Sequence, residues 1–282
     1  MDFTKIINLL KNHTKNTKIN ILIGIPAFGG MVYSTFTTCC LSLQRILDQC
    51  GIESQFYFLN GESLIPRARN NIISHFHHNR QYTHLLFLDS DLQFHPINII
   101  ELIINDFELS GLSYPKKSIN WKKVKKHSDL IEKDMGLFNS KITDMNYNPV
   151  IYMKDGKPTM RVIRKNVEVR DIPTGSMMIK RVVVDLLVLN YPERKYCNNV
   201  AGYGNENQYD FFPTGIVDNI YLSEDYYFCK LCKDIGIESY INPHATLIHT
   251  GKYEYHGSLI HSLKGDELNC DMEVVRQNLK NF

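Results

Sequence analysis

The chain has 282 residues, 43% of them apolar and 22% charged, with a formal net charge of +2. This is ordinary globular composition with ample material for a sizeable core. A charge so near zero argues against a general nucleic-acid binder, and no apolar run is long enough to span a bilayer as a helix.

Residues 1–18 carry Phe3, Ile6, Ile7 and Leu10 at the spacing of one helix face, and are too polar for a secretory signal. Ile19 to Ile25 reads as a buried strand rich in β-branched side chains. It ends at Pro26, Ala27, Phe28, Gly29 and Gly30, where two glycines permit close backbone approach to a ligand. Thr35 to Cys50 follows as a helix stopped by Gly51. This order resembles a nucleotide-binding βα unit, but the G-x-G-x-x-G fingerprint and the Walker A lysine are missing. Neither NAD binding nor ATPase activity is therefore expected.

Glu53 to Leu59 gives a second strand, and Pro66 opens a helix to about Phe76 with Arg67, Arg69 and Asn70 in its first turns. Arginines there oppose the helix dipole. They are explained by an anion such as a diphosphate, by a buried carboxylate, or by plain solvation. His75, His77 and His78 lack the i, i+4 spacing of metal ligands and read as surface histidines.

Leu85 to Leu88 is an uninterrupted apolar run, as in a strand covered on both faces of a parallel sheet. It stops at Asp89, Ser90 and Asp91. In an extended chain the two aspartates share a face and can converge on one point. Pro96 then starts a helix containing Ile97, Ile100, Ile103, Ile104 and Phe107. Carboxylates at the carboxyl end of a central strand stand where open α/β sheets bind ligands. Two hard oxygen ligands suit Mg²⁺ or Mn²⁺ carrying phosphates, although aspartate in such a turn also serves as ordinary capping.

Gly111 to Tyr114 is the next strand. Beyond it, Lys116, Lys117, Lys122, Lys123, Lys125 and Lys126 read as a solvated face from which Lys116 or Lys117 could reach a phosphate or acceptor. Trp121 either packs in the core or stacks on a sugar ring. Val150 to Arg170 alternates like strands and runs on to a turn at Pro173, Thr174 and Gly175. Residues 191–219 show no period and read as mobile surface or an acceptor-binding lid. Ser223, Glu224 and Asp225 open a helix to about Ile235 with good capping chemistry. Tyr240 to Ile248 reads as one late strand, followed by His249 and Gly251. Residues 266–281 have the pattern of an amphipathic helix (Leu268, Met272, Val275, Leu279) at a possible homodimer contact, within a helical tail spanning 259–282. Seven cysteines, an odd number without paired ligand spacing, suggest reduced thiols in a cytoplasmic setting. Cys39, Cys40, Cys229 and Cys232 fall within helical patterns as core or surface thiols. With no repeat and no low-complexity linker, one domain over 1–282 is expected.

The segments Pro66 to Asn70, Thr83 to Asp91, Asp171 to Lys180, Leu222 to Cys229 and Leu247 to Gly251, taken in that order, resemble the nucleotide-sugar glycosyltransferases of the GT-A fold. That resemblance implies an α/β, Rossmann-like fold with a mixed, mostly parallel central sheet flanked by helices. It implies a hexosyltransferase that moves a sugar from a UDP-sugar to a hydroxyl of a glycan or protein acceptor. Asp89 and Asp91 would be the D-x-D metal ligands for Mn²⁺ or Mg²⁺, with His249 completing the site. Pro26, Ala27, Phe28, Arg67, Arg69, Asn70, Asp89, Ser90 and Gly175 would line the donor. Asp225, with Glu224 as second candidate, would be the general base. The Lys-, Asn- and Ile-rich composition also looks like glycosyltransferases of large DNA viruses, which would place the chain in a host cytoplasm or virion. Two rivals remain: a sugar-1-phosphate nucleotidyltransferase, and a non-catalytic domain that binds nucleotide sugars.

Overall fold

Four consecutive apolar residues are buried without waste only if both faces of their strand are covered. The computed structural model, which describes residues 3–15, 17–198, 207–263 and the backbone of 271–274, meets that demand. Its strands include β1 (Asn20–Ala27), β2 (Glu53–Asn60), β3 (His84–Leu88), β4 (Leu92–Phe94), β5 (Leu109–Leu112) and β6 (Pro115–Ile119). They continue with β7 (Lys157–Ile163), β8 (Asn166–Asp171), β9 (Ser176–Lys180), β10 (Ser239–Asn242), β11 (Thr246–Thr250), β12 (Glu254–Ser258) and β13 (Asp271–Val274). The principal helices are α1 (Phe3–Thr14), α2 (Ser34–Gln49), α3 (Ile65–His78), α4 (Pro96–Asn105), α5 (Arg181–Asn190) and α6 (Glu224–Asp234).

The main sheet runs β2-β1-β3-β9-β5-β10-β8-β7-β13, with two short strands at Asn148–Pro149 and Tyr152–Lys154 attached to its far end. It is mixed: β1 is parallel to β2 and β3, and β5 is parallel to β10, while β9 enters antiparallel between β3 and β5. The chain is thus an α/β protein with helices on both sheet faces. In β1, Ile21, Ile23 and Ile25 join α1, α2 and α4, whereas Leu22 joins α3 and α5. Along β3 the same alternation sends Leu86 and Leu88 one way and Leu85 and Phe87 the other. All four are 0% exposed, and each fully buried side chain of this size stabilises by about 1.5–3 kcal/mol. Gly24 lets α3 close onto β1, since a Cβ there would run into Ile72.

A second sheet, β12-β11-β4, branches off where β3 ends. The single late strand expected over 240–248 is therefore two strands in different sheets. Asn242 breaks it by accepting the backbone N–H of His244 at 3.0 Å, which forms a turn ahead of β11. The stretch 191–219 is not structureless either. Lys195–Cys197 pairs with Asn207–Tyr209, and Gly215–Val217 with Ile220–Leu222, while 199–206 lie outside the described residues. Trp121 is 72% exposed, which removes the core reading. Cys229 and Cys232 are buried in the core. The C-terminal helix expected over 266–281 is corrected at 271–274, where β13 pairs in parallel with Thr159–Val162. The open edge of β7 offers unpaired backbone groups that a strand satisfies and a helix cannot. The rest of that segment lies outside the described residues. Among the described residues no helix is long and apolar enough to cross a membrane.

Gly111 in β5 is a test of this packing. A Cβ there would stand 2.6 Å from the Ser176 carbonyl oxygen on the neighbouring strand. Gly111→Ala should cost about 1–3 kcal/mol of stability by overpacking, read as a lowered urea midpoint.

Candidate functional site

The parallel strands β1, β2 and β3 all end at one edge, and several of the expected site residues collect there. β3 stops at Leu88, and Asp89, Ser90 and Asp91 form a turn rather than an extended strand. The two aspartates consequently find different partners. Asp89 Oδ1 takes the Arg69 guanidinium at 2.5 Å, and Asp91 Oδ2 takes the Lys117 ammonium at 2.5 Å. Asp89 is fixed from its backbone as well, its N–H donating to the Gly175 carbonyl at 3.0 Å. Gly175 is needed for this approach, since a Cβ would stand 2.9 Å from Asp89 Oδ2 and 2.7 Å from Tyr114 Cζ.

Arg69 is 2% exposed and lies over the Phe87 ring, 5.0 Å from its centroid. Burial works against its charge, but Asp89, helped by Glu224 and Tyr114, holds its pKa above the ordinary arginine value. Its Nε and Nη1 have no hydrogen-bond partner among the described residues, which leaves an unmet demand for acceptors inside the site.

The second sheet brings up His249. In its register Leu92 lies opposite His249, and the Thr250 N–H donates to the Asp91 carbonyl at 2.8 Å. His249 Nδ1 is 2.9 Å from the Pro115 carbonyl, an acceptor, so Nδ1 carries the proton. Nε2 then faces Asp91 Oδ1 at 3.5 Å. That oxygen is buried and has no hydrogen-bond partner among the described residues. A carboxylate oxygen beside an imidazole nitrogen, with the imidazole anchored through its other nitrogen on a carbonyl, is a donor set that suits a metal ion. Asp91 is held below the ordinary carboxylate range: burial pushes it up, and the contacts with His249 and Lys117 outweigh that push. Asp89 does not join the pair. Among the described residues no three His, Cys, Asp or Glu side chains are grouped to hold a metal. Asp91 and His249 suit a cation that takes its remaining ligands from substrate oxygens and water.

Glu224 and Asp225 approach from the start of α6. The Ser223 hydroxyl donates to Asp225 Oδ1 and makes no cap to the helix backbone, contrary to the capping expected there. Burial pushes the Asp225 carboxyl up despite that bond and one from the Tyr226 N–H. Burial and then the Asp225 charge push Glu224 up, with Arg69 opposing. Tyr114 was not expected at the site. It is buried, receives the Gly175 N–H at 3.2 Å, and packs edge-on to His249 at 5.2 Å. Burial, then the charges of Asp89 and Asp225, push its phenol well above the ordinary range. Its only sequence signal was its place at the end of a predicted strand.

Other expected residues stand further off. Arg67 makes a bidentate pair with Glu62 at 2.6 and 2.8 Å, and lines a separate cavity of about 610 Å³ with Arg194, Lys195 and Tyr196. Asn70 is spent on structure: its Oδ1 accepts from the N–H groups of Phe211 and Phe212, and its Nδ2 donates to Asp210 at 2.7 Å. Pro26 and Ala27 end β1, while Phe28 is 62% exposed just beyond it. The Tyr33 N–H donates to the Ser90 carbonyl at 3.4 Å, tying this loop to the Asp89–Asp91 turn. A further cavity of about 530 Å³, by Phe107, Arg164 and Tyr240, lies where β5 and β10 begin and contains none of these residues.

No family model and no curated protein matches the chain. Among solved structures, the crystal structure of A197 from STIV, a viral protein, is similar over 93% of this chain and 100% of its own, with 14% identity and a TM-score of 0.47.

The two aspartates should separate in a stability assay. Asp89→Ala strands the buried Arg69 charge and should cost about 3 kcal/mol or more. Asp91→Ala releases Lys117, whose side chain is 39% exposed, and loses the longer contact with His249, and should cost about 1 kcal/mol or less. Chemical denaturation of both variants reads the difference.

Proposed function

We propose that the chain is a metal-dependent glycosyltransferase of the GT-A kind, moving a sugar from a UDP-sugar to an acceptor hydroxyl. The observation that carries this reading is the meeting of Asp91 with His249, beside a buried Arg69 paired with Asp89, whose charges also act on Glu224. Segments at 69, 89–91, 224–225 and 249 supply these groups, and no local folding requirement unites them.

Asp91 and His249 would hold Mn²⁺ or Mg²⁺, which when bound offsets charge on the leaving diphosphate. Phe28 offers an exposed ring just beyond β1, on the loop tied to the Asp89–Asp91 turn, for a nucleobase to stack on. Asp225 takes the proton of the acceptor hydroxyl as its oxygen bonds to the anomeric carbon, and the bond from that carbon to the diphosphate oxygen breaks. Attack from the face opposite the leaving group inverts the centre. Burial suits Asp225 to the task by raising its basicity, and Ser223 aims the carboxylate. Arg69 and Tyr114 keep Asp89 and Gly175 in place behind the reacting groups. The loop Pro26 to Gly30 has no basic side chain, so nothing there favours nucleotidyl transfer.

The test is release of nucleoside diphosphate from a panel of nucleotide sugars, with Mn²⁺, with Mg²⁺ and with chelator. One donor should turn over in a metal-dependent way, and Asp91→Ala should lower that rate about 10²–10³-fold. Turnover indifferent to chelator and to Asp91→Ala would contradict the reading. Asp225 acts only when ionised, and its pKa is raised. The rate should therefore fall with decreasing pH from above the range of a free aspartate, about 3.9. Asp225→Asn should lose about 10²–10⁴-fold; an unchanged rate removes it as the base.

A further inference from the structure

Asp91 is engaged from two sides. Its Oδ2 holds the Lys117 ammonium at 2.5 Å, while its Oδ1 faces His249 Nε2 at 3.5 Å without a hydrogen bond. Lys117 belongs to β6, outside the main sheet, on a two-stranded ribbon with Thr143–Met145. Its side chain reaches Asp91 by passing Gly251, where a Cβ would stand 3.2 Å from Lys117 Cδ and 3.6 Å from Cε. The glycine that follows His249 thus keeps the lysine's path open.

A carboxylate cannot bind an ammonium and a divalent cation together without the two repelling each other at short range. We infer that Lys117 is an exchangeable counter-cation for Asp91, a role that rests on the glycosyltransferase reading above. In the ligand-free protein it neutralises the carboxylate. When donor and metal bind, Lys117 leaves Asp91 to the metal and carries its ammonium to the donor's diphosphate. A lysine fits this exchange better than an arginine, being a compact charge on a flexible stem rather than a fork matched to a carboxylate. Its partial exposure gives it room to move. No covalent bond forms or breaks.

The exchange makes metal and nucleotide binding interdependent. Metal alone must displace a bonded ammonium, whereas a diphosphate offers that ammonium a second anion. By linkage, each ligand then strengthens the other equally.

The test is Mn²⁺ binding to the full chain, measured by the electron paramagnetic resonance of free Mn²⁺, with and without UDP. Wild type should bind Mn²⁺ weakly alone and more tightly with UDP. Lys117→Met, similar in length but uncharged, should bind Mn²⁺ about tenfold more tightly without UDP. It should also bind UDP more weakly and lose most of the coupling between the two. Lys117→Arg, which keeps a cation there, should restore weak Mn²⁺ binding in the absence of UDP. Gly251→Ala, which crowds the lysine stem without altering any charge, should shift Mn²⁺ binding in the same direction as Lys117→Met by a smaller factor. Equal Mn²⁺ affinity in wild type and Lys117→Met would overturn the exchange and leave the metal site standing. Absence of Mn²⁺ binding in every form, with or without UDP, would overturn the exchange and the metal-dependent reading together.

Discussion

A guanidinium shut away from water has to be answered by a carboxylate, and Arg69 is answered by Asp89 at 2.5 Å. Much of the site follows from meeting that need. Arg69 is carried by α3, whose Ala68, Ile72 and Phe76 pack against the sheet, with Gly24 allowing the close approach. Asp89 is carried by the end of β3 and pinned to Gly175, which in turn donates its N–H to the Tyr114 hydroxyl. With Asp89 held on the α3 side, the turn delivers Asp91 toward the second sheet, where β4 and β11 set His249 beside it. The core and the site are therefore one construction. A change in how α3 sits on the sheet would be felt at Asp91 without any ligand-facing residue being altered.

A good part of the fold was legible in the sequence because it rests on periodicity and punctuation. The strands ending near Ala27, Asn60 and Leu88, and the helices starting near Ser34, Ile65, Pro96 and Glu224, fall where apolar runs, prolines and glycines indicated. What escaped has a common cause. The antiparallel insertion of β9 between β3 and β5 is a choice among sheet neighbours that no local pattern encodes. The split of 240–248 between two sheets turns on one asparagine side chain bonding a nearby backbone N–H. The pairing of β13 depends on an open edge more than 100 residues away in the chain.

The site divides in the same way. The order of motifs drew attention to Arg69, Asp89, Asp91, Asp225 and His249, and the structure pairs Arg69 with Asp89 and sets Asp91 beside His249. Motif order alone could not say which charge answers which. Arg67 and Arg69 look alike in sequence, yet one meets Glu62 and the other Asp89. Lys117 looks like any member of a lysine run, yet it alone among them crosses to Asp91. Ser223 has the credentials of a helix cap, and instead bonds the carboxylate proposed as base. Tertiary partnership, not residue type, separates these cases.

In the proposed reading, Asp91 and His249 form a metal site onto which a donor diphosphate binds, with Asp225 as the base. The most direct test is a crystal structure of the protein grown with Mn²⁺ and UDP, with the metal located by its anomalous scattering. One Mn²⁺ should lie within coordination distance of Asp91 and His249 Nε2, bridged to the diphosphate. Mn²⁺ and UDP bound away from Asp91, for instance in the cavity lined by Arg67, Arg194 and Lys195, would contradict it.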